Sequence, residues 1–239
     1  MQTIHFQDLG RMAYDAAWDY QETLMQANLK IKARRFDSRD YAVVVDDATK
    51  HHLLFCEHPH VYTLGKSGHI ENLLVNDARM KELDVTFFRT NRGGDITYHG
   101  PGQVVGYPIL DLEHFGTDLG KYMRNLEEVM IRVLAQYGIL AGRIPGCTGV
   151  WLDADMKGRA RKVCAMGVRC SRWVTMHGFA LNVNTYLKYF DYIVPCGITD
   201  KKVTSMHKEL GRDVDMEEIK ELLRVEFGTV FGAAINTAF

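Results

Sequence analysis

Residues 92–103 read R-G-G-D-I-T-Y-H-G-P-G-Q, with four glycines and one proline in twelve positions. Apolar segments flank this stretch, V-T-F-F-R at 85–89 before it and V-V-G-Y-P-I-L at 104–110 after it, and both are typical of β-strands. Glycine permits backbone conformations with positive φ and lets a ligand approach the main chain closely. A chain reversal needs one or two such residues, so we expect this loop between two strands to hold a ligand.

The rest of the chain divides into helix-like and strand-like segments. The clearest helix is predicted over 119–137, where apolar residues recur at helical spacing and Gly138 follows as a C-terminal cap. A second helix is predicted over 13–31, beginning after Asp8 or Asp15, and a third beginning near Asp213 or Asp215. Apolar runs predict further strands at 41–45, 53–56, 149–152, 162–169 and 173–183.

The order of these segments predicts the fold class. Strands with a helix near each end, rather than strict alternation of strand and helix, predict an α+β fold in which helices pack on a sheet. The chain has 239 residues and no internal repeat, low-complexity tract or clear linker. We therefore expect one domain over 1–239, with about 200–239 as a possible C-terminal helical subdomain.

Composition excludes several classes of function. The formal net charge is −1, so no global field favours nucleic acid or an anionic membrane, and the single R-G-G at 92–94 is not a repeated nucleic-acid tract. No run approaches the roughly 18 apolar residues of a membrane span. The first ten residues lack the pattern of a signal peptide, which predicts a cytoplasmic protein. The five cysteines include no C-x-x-C pair, so we expect no disulfide framework.

Two familiar ligand motifs are considered and rejected. The G-K-S at 65–67 suggests a phosphate loop, but that motif requires glycine at position 60, which is His60. Cys56, His58 and His60 suggest a metal site, yet a proline lies among them and no second ligand pair has a usual spacing. We expect a loop that follows a strand, and no metal.

Cys196 and Lys162 are the candidate chemical groups. Cys196 stands between proline and glycine in Y-I-V-P-C-G-I, where a strand-like run ends and the thiol can be presented at the end of an element. Lys162 opens K-V-C-A-M-G-V-R. A nearby ammonium lowers the pKa of a thiol and enriches the nucleophilic thiolate. The residues alone leave open a buried structural cysteine and a solvated lysine that never meet.

Several ordered motifs together resemble the lipoyl (octanoyl) transferases, the octanoyl-[acyl-carrier-protein]:protein N-octanoyltransferases of lipoate biosynthesis. The principal matches are the segments at 92–112, 161–169, 173–184 and 193–198. E-H-P-H-V-Y-T-L-G at 57–65 and V-T-S-M at 203–206 also match. The resemblance extends from about residue 10 to 231.

The resemblance implies a set of site residues. Cys196 would be the acyl-thioester nucleophile and Lys162 the partner that lowers its pKa. The implied substrate-contacting residues are Arg92, Gly93, Gly94, Asp95, Ile96, Thr97, Tyr98, His99, Ala165, Met166, Gly167, Gly178, Phe179 and Ala180. His177 and Asn182 border the last of these segments. Cys164 is the rival thiol, because two residues along an extended strand place it on the face of Lys162.

The resemblance also implies a fold, a reaction and partners. The fold would be the mixed sheet with packed helices that biotin protein ligases and lipoate ligases share. The octanoyl group would pass from octanoyl-acyl carrier protein, through a cysteine thioester, to a lysine of a lipoyl domain. The acceptors would be E2 subunits of 2-oxoacid dehydrogenases and the H protein of glycine cleavage. No ATP, metal or other cofactor, no nucleic acid and no membrane is implied.

Other readings stay open at this point. The main alternative is an ATP-dependent ligase of the lipoate or biotin type. Two further alternatives are a non-catalytic scaffold that binds lipoyl domains or acyl chains, and a hydrolase that pairs Cys196 with His177. A basic stretch either steers an acidic carrier protein or is a solvated edge. Its members are Lys157, Arg159, Arg161, Arg169 and Arg172.

Overall fold

A computed structural model describes residues 1–37, 48–156, 158–194 and 202–237. The predicted strand at 41–45, Lys157 and Cys196 lie outside the described residues. The described strands are β1 (Gln2–Arg11), β2 (His51–Glu57), β3 (Val61–Leu64), β4 (Thr86–Arg89), β5 (Ile96–His99), β6 (Gln103–Ile109), β7 (Ala141–Ile144), β8 (Cys147–Leu152), β9 (Arg161–Ser171), β10 (Val174–Asn182), β11 (Lys202–Val203) and β12 (Ala233–Thr237). The described helices are α1 (Tyr14–Asp37), α2 (Asp77–Glu82), α3 (Leu119–Gln136), α4 (Met206–Leu210) and α5 (Met216–Phe231).

A large mixed sheet forms the framework. Its strands follow the order β12-β1-β2-β6-β10-β9-β8-β7, and β11 pairs with the start of β9. β1 is parallel to both of its neighbours, whereas β6, β10, β9 and β8 are successively antiparallel. This arrangement confirms the predicted α+β class with a mixed sheet.

Helices cover the two faces of this sheet unequally. Because successive strand residues point to opposite faces, β10 contributes Phe179 and Leu181 to the core beneath α3 and α5. Its residues Met176 and Ala180 pack on the other face with α1. The predicted stripe of α3 is buried through Leu126, Met130 and related residues, and Gly138 follows the helix with φ of 71°. The two faces therefore have separate cores.

A smaller sheet carries the glycine-rich stretch. Among the described residues it has the order β4-β3-β5, and its core contains Tyr62, Ile96 and Tyr98. The prediction of an uninterrupted loop over 92–103 is wrong, because residues 96–99 form β5 and pair with β3 over four positions. The loop proper is 92–95, and a second turn at 100–102 leads into β6. The first turn contacts β9 and the second leads into β6, and both of these are interior strands of the large sheet.

The predicted helices are confirmed with shifted ends. α1 extends to Asp37, six residues past the predicted end, and α5 begins after Asp215, whose side chain accepts from the amides of Glu217 and Glu218. Asp215 is therefore an N-cap. In the described part of the chain, no helix combines the length and the apolar character needed to cross a membrane.

Candidate functional site

A cavity of about 530 Å³ lies between the large sheet, the loop at 92–95 and the start of α3. It is lined by fourteen residues predicted from the sequence: Arg92, Gly93, Gly94, Asp95, Ile96, Thr97, His99, Lys162, Ala165, Met166, Gly167, Gly178, Phe179 and Ala180. His177 and Asn182 line it as well. Segments up to about ninety residues apart in the chain thus surround a single cavity.

The glycine loop at 92–95 lies directly against β9. The amide of Gly93 donates to the carbonyl of Val168 at 2.9 Å. A Cβ on Gly167 would stand 2.7 Å from the carbonyl oxygen of Gly93, so only glycine permits this approach. Gly94 adopts φ of 85° and turns the loop back toward β5. The loop forms one wall of the cavity because both β9 and the loop lack side chains at the crossing.

Arg92 braces the loop from within. Its guanidinium donates from Nη2 to the carbonyls of Thr63 and Asp95 at 2.7 and 2.8 Å, and from Nη1 to the carbonyl of Gly93 at 2.9 Å. The side chain is buried. Hydrogen bonds from a charged donor to several carbonyls fix a loop more firmly than neutral pairs do. Arg92 therefore holds the shape of the wall that it lines.

Asp95 connects the loop to the chain that precedes Cys196. One carboxylate oxygen accepts from the amide of Ile96, and the other accepts from Nδ2 of Asn72, both at 2.6 Å. The carbonyl of Asn72 in turn accepts from the amide of Val194 at 2.8 Å. Val194 is the last described residue before Cys196.

A chain of amides connects the same region to the residues that follow Cys196. Nδ1 of His99 donates to Gln103 at 2.8 Å, and Nε2 of Gln103 donates to Oδ1 of Asn182 at 2.8 Å. Nδ2 of Asn182 donates to the carbonyl of Thr204 at 3.0 Å. The amide of Thr204 donates to the carbonyl of Lys162 at 2.9 Å. The described chain therefore resumes beside Lys162.

Lys162 lies at the cavity next to an aromatic ring. Its Nζ is 4.6 Å from the ring centroid of Trp151, which also lines the cavity. Gly149 has no Cβ, and an added one would meet the Lys162 side chain at 3.3 Å. An ammonium over an indole face is stabilised electrostatically. Trp151 and Gly149 together define the course of the lysine side chain.

A β-bulge separates Lys162 from the rival thiol. Trp151 pairs with Lys162 whereas Val150 pairs with Cys164, so Val163 is an extra residue on β9. The expectation that Lys162 and Cys164 share a face is therefore wrong. Cys164 is fully buried in the core under α3, and this burial raises the pKa of its thiol. Because the bulge directs Cys164 into this core, away from Lys162, its thiol is a poor candidate for the nucleophile.

The histidines of the cavity are neutral. Burial lowers the pKa of His99 and of His177 to about 3, and the positive charge of Arg92 adds to the effect. Nε2 of His177 donates to Oδ1 of Asn91 at 2.7 Å. Neither imidazole carries charge near neutral pH, so both contribute shape and hydrogen bonds to the wall.

Tyr98 lies elsewhere. It is fully buried in the small sheet, its hydroxyl bonds Nδ1 of His60 at 2.7 Å, and its ring stacks on Tyr189 at 5.0 Å. Gln103, which belongs to the predicted ligand-holding stretch, lines the cavity too. Cavity-lining residues that the sequence did not indicate are Tyr14, Val105, Tyr107, Leu119, Met123, Gly146, Cys147, Thr148, Trp151, Val168, Phe190 and Val203. Alternation of side chains along the strand that follows Gln103 is a signal that could have indicated Val105 and Tyr107.

The basic stretch is largely balanced by carboxylates. Arg161 pairs with Glu209 at 2.6 Å and also with Asp153. Arg169 pairs with Glu22 of α1 at 2.8 Å. Charges neutralised in this way contribute little to a long-range field.

Comparison with known proteins shows the family to which the chain belongs. A model of the lipoyl protein ligase A/B catalytic domain matches residues 13–228. The octanoyltransferase of Flavobacterium johnsoniae is 56% identical over 235 residues, covering 97% of this chain and 98% of that protein.

Solved structures share the fold at low sequence identity. A bipartite lipoate protein ligase of Thermoplasma acidophilum, described with its E2 lipoyl domain, aligns with a TM-score of 0.67 at 16% identity, over 99% of this chain and 86% of that one. Lipoate-protein ligase A bound with ATP aligns with a TM-score of 0.65 at 16% identity, over 99% and 88%. The likeness confirms the predicted lipoate-ligase fold.

Proposed function

The chain belongs to the lipoyl protein ligase A/B family, among its octanoyltransferases, and on that premise we propose that it transfers the octanoyl group through a thioester on Cys196. Lys162 is the proposed activating group. An ammonium close to the thiol favours the thiolate, which is the competent nucleophile.

The observation that carries this proposal is the position of Lys162 relative to the described ends of the Cys196 segment. Val194 is held from the glycine loop through Asn72, and Val203 pairs with Lys162 itself. The chain on both sides of Cys196 is therefore attached to the walls of the cavity that Lys162 lines. Cys164, the rival thiol, is buried in the opposite core.

The reaction has two acyl-transfer steps. The Cys196 thiolate attacks the octanoyl thioester of an acyl carrier protein, the new C–S bond forms, and the carrier leaves as a thiolate that takes a proton. The amine of an acceptor lysine then attacks the enzyme thioester, an amide forms, the amine proton is released and the Cys196 thiolate is regenerated. In this proposal the Lys162 ammonium gives its proton to the departing carrier thiolate, and the neutral amine so formed then accepts the proton released by the acceptor lysine. Thioester exchange is close to isoenergetic, and amide formation drives the sequence forward.

The cavity is suited to an acyl chain. Its walls include Met166, Phe179 and Ala180, and its histidines are uncharged. Burial contributes about 0.8 kcal/mol per methylene, so a seven-carbon tail contributes on the order of 5 kcal/mol.

Acyl carrier protein is the proposed donor, and lipoyl domains of E2 subunits and the glycine cleavage H protein are the proposed acceptors. The acceptor class is supported by the Thermoplasma ligase, which is described with its E2 lipoyl domain. We also propose that the chain acts as one catalytic domain, because Phe227 of α5 and Ala233 of β12 belong to the core beneath α3.

Two alternatives make different predictions. A hydrolase that pairs Cys196 with His177 requires a basic imidazole, but burial lowers the pKa of His177 to about 3 and Asn91 accepts from its Nε2. An ATP-dependent ligase would use free octanoate with ATP and would need no acyl-enzyme. Activity from octanoate and ATP, with none from octanoyl-carrier protein, would favour the ligase.

Intact-protein mass spectrometry after mixing with octanoyl-carrier protein tests the proposal. We expect an octanoyl adduct on the parent chain and on Cys164→Ser, none on Cys196→Ser, and release of the adduct when a lipoyl domain is added. An adduct that persists in Cys196→Ser and disappears in Cys164→Ser would refute the assignment.

A further inference from the structure

The two ends of the cavity differ in exposure. At the outer rim, Leu119, Gly146 and Thr148 are exposed to solvent. At the inner end, Val105 and Tyr107 are 1% and 3% exposed. Lys162 belongs to the rim side, because the indole of its neighbour Trp151 donates to the carbonyl of Cys147 at 3.0 Å. A chain that enters beside Lys162 therefore runs toward β6.

Small residues pave the path between these ends. On the cavity face, β9 presents Ala165 and Gly167, and β10 presents the adjacent Gly178 and Ala180. Across β10, Ala180 pairs with Val105, so the first larger side chains on this face belong to β6. The glycine loop already lies on Gly167. An acyl chain can therefore lie on Ala165 and Ala180 until it meets Val105, with Tyr107 two positions further along β6.

The length of this path matches an octanoyl chain. β9 and β6 are separated by two strand spacings, about 9.6 Å in total. An extended chain advances about 1.25 Å along its axis for each C–C bond of roughly 1.5 Å, so the distance from carbonyl carbon to terminal methyl of octanoyl is about 9 Å.

Tyr107 is held rigidly at the inner end. Nδ1 of His58 bonds the carbonyl of Met12 at 2.7 Å, which requires Nδ1 to carry the proton. Nε2 is then an acceptor and receives the hydroxyl proton of Tyr107 at 2.7 Å. His58 does not line the cavity among the described residues, so the polar end of Tyr107 is bonded outside it.

We propose that Val105 and Tyr107 terminate the acyl slot and restrict this octanoyltransferase to chains of about eight carbons. The inference rests on the proposed function, in that the acyl chain occupies this cavity. Apolar contact alone discriminates weakly, because one methylene changes affinity only a few-fold. A fixed wall excludes longer chains by steric overlap, and shorter chains leave part of the slot unfilled.

Three variants test the wall, with a matched control on the same strand. Val105→Ala and Tyr107→Leu replace the side chains at the end of the slot with smaller ones and so lengthen the slot. Tyr107→Phe keeps the ring and removes the hydrogen bond to His58. Val104→Ala is the control: Val104 is equally buried, but it faces the core beneath α3. The measurement is kcat/KM for hexanoyl-, octanoyl-, decanoyl- and dodecanoyl-carrier protein with a lipoyl-domain acceptor.

We expect the decanoyl-to-octanoyl ratio to rise on the order of tenfold in Val105→Ala and Tyr107→Leu, as for two newly accommodated methylenes. Val104→Ala and Tyr107→Phe should keep the parental ratio. A parental ratio in Val105→Ala would overturn the inference even if Tyr107→Leu failed to fold. A parent chain that forms no octanoyl-enzyme would instead overturn the proposed function.

Discussion

The two faces of the large sheet are built from the same strands, but one face packs into an apolar core and the other borders a cavity. Beneath α3 and α5, β9 and β10 bury Val163, Cys164 and Leu181 in a continuous apolar core. On the other face the same two strands present Ala165, Gly167 and Gly178 to a cavity. Most residues of one set stabilise the fold, and the alternate set leaves space for a substrate. Phe179 belongs to the core and also lines the cavity. Substitutions on the two faces should therefore have separable effects.

The strongest test of this separation compares Lys162→Met with Cys164→Ser. Lys162→Met removes the ammonium and keeps the alkyl chain, so we expect octanoyl transfer to fall on the order of a thousandfold with little change in stability. Cys164→Ser buries a hydroxyl in an apolar core and should lower the free energy of unfolding by about 1–3 kcal/mol. Steady-state transfer rates and urea unfolding measure the two effects. Transfer by Lys162→Met within tenfold of the parent would contradict the role of Lys162.

Acid should act on the cavity face, where buried histidines are held neutral. Burial lowers the pKa of His58 to about 4 and that of His99 and His177 to about 3. Below pH 6.5 the unfolded chain takes up these protons while the folded chain does not, so the unfolded state is favoured as pH falls. At pH 5.5 each histidine should cost about 1.4 kcal/mol relative to neutral pH.

Urea unfolding from pH 7.5 to 5.5 measures this loss. The slope against pH should be smaller in His99→Gln, which can still donate to Gln103. A free energy of unfolding that stays constant over this range would show that these imidazoles are accessible to protons in the folded protein.

Gly167→Ala tests the close approach of the glycine loop to β9. The new methyl group would stand 2.7 Å from the carbonyl oxygen of Gly93, so the loop must move outward. We expect kcat/KM for octanoyl transfer to fall about tenfold. Gly142→Ala is the control, because the Cβ added at position 142 would have the Cβ of Ala154 as its nearest neighbour, at an ordinary contact distance of 3.7 Å. Equal activity in the two variants would mean that the loop is not a wall of the substrate site.

The smallest expected effect concerns Trp151. Its ring lies 4.6 Å from the Lys162 ammonium, and an interaction of this kind contributes about 0.5–1 kcal/mol. Trp151→Leu should therefore slow octanoyl transfer two- to fivefold, whereas Trp151→Phe, which retains a π face, should lie between that variant and the parent. Identical rates for the two variants would indicate that the indole supplies volume alone.

The sequence predicted the elements whose patterns are strong. The stripe of α3, the N-cap Asp215 and the apolar runs of β6 and β10 each carry a signal that tertiary contacts do not override. β1 was not predicted because Q-T-I-H-F-Q-D-L-G-R is largely polar, and only pairing with β2 and β12 makes it a strand. β5 was concealed by the glycines on either side of it, and pairing with β3 determines its conformation.

Site residues that lie in contiguous sequence motifs could be predicted, whereas site residues that only the fold brings together could not. Thirteen of the fourteen residues inferred to contact substrate line the cavity, and Tyr98 faces the core of the small sheet. Tyr14, Tyr107 and Trp151 come from three separate elements, and no local pattern shows that they meet. Cys196 lies outside the described residues, so its role stays a proposal.

The extra residue at Val163 makes the enzyme sensitive to the length of β9 as well as to its composition. Lys162 and Ala165 both line the cavity although three positions, an odd number, separate them. A regular strand of the same length would turn the lysine into the core beneath α3, whereas deletion of Val163 would restore regular pairing with the lysine still on the cavity face. We therefore expect insertion of one residue beside the retained bulge to abolish octanoyl transfer, because it turns the lysine to the core, and deletion of Val163 to preserve part of the transfer.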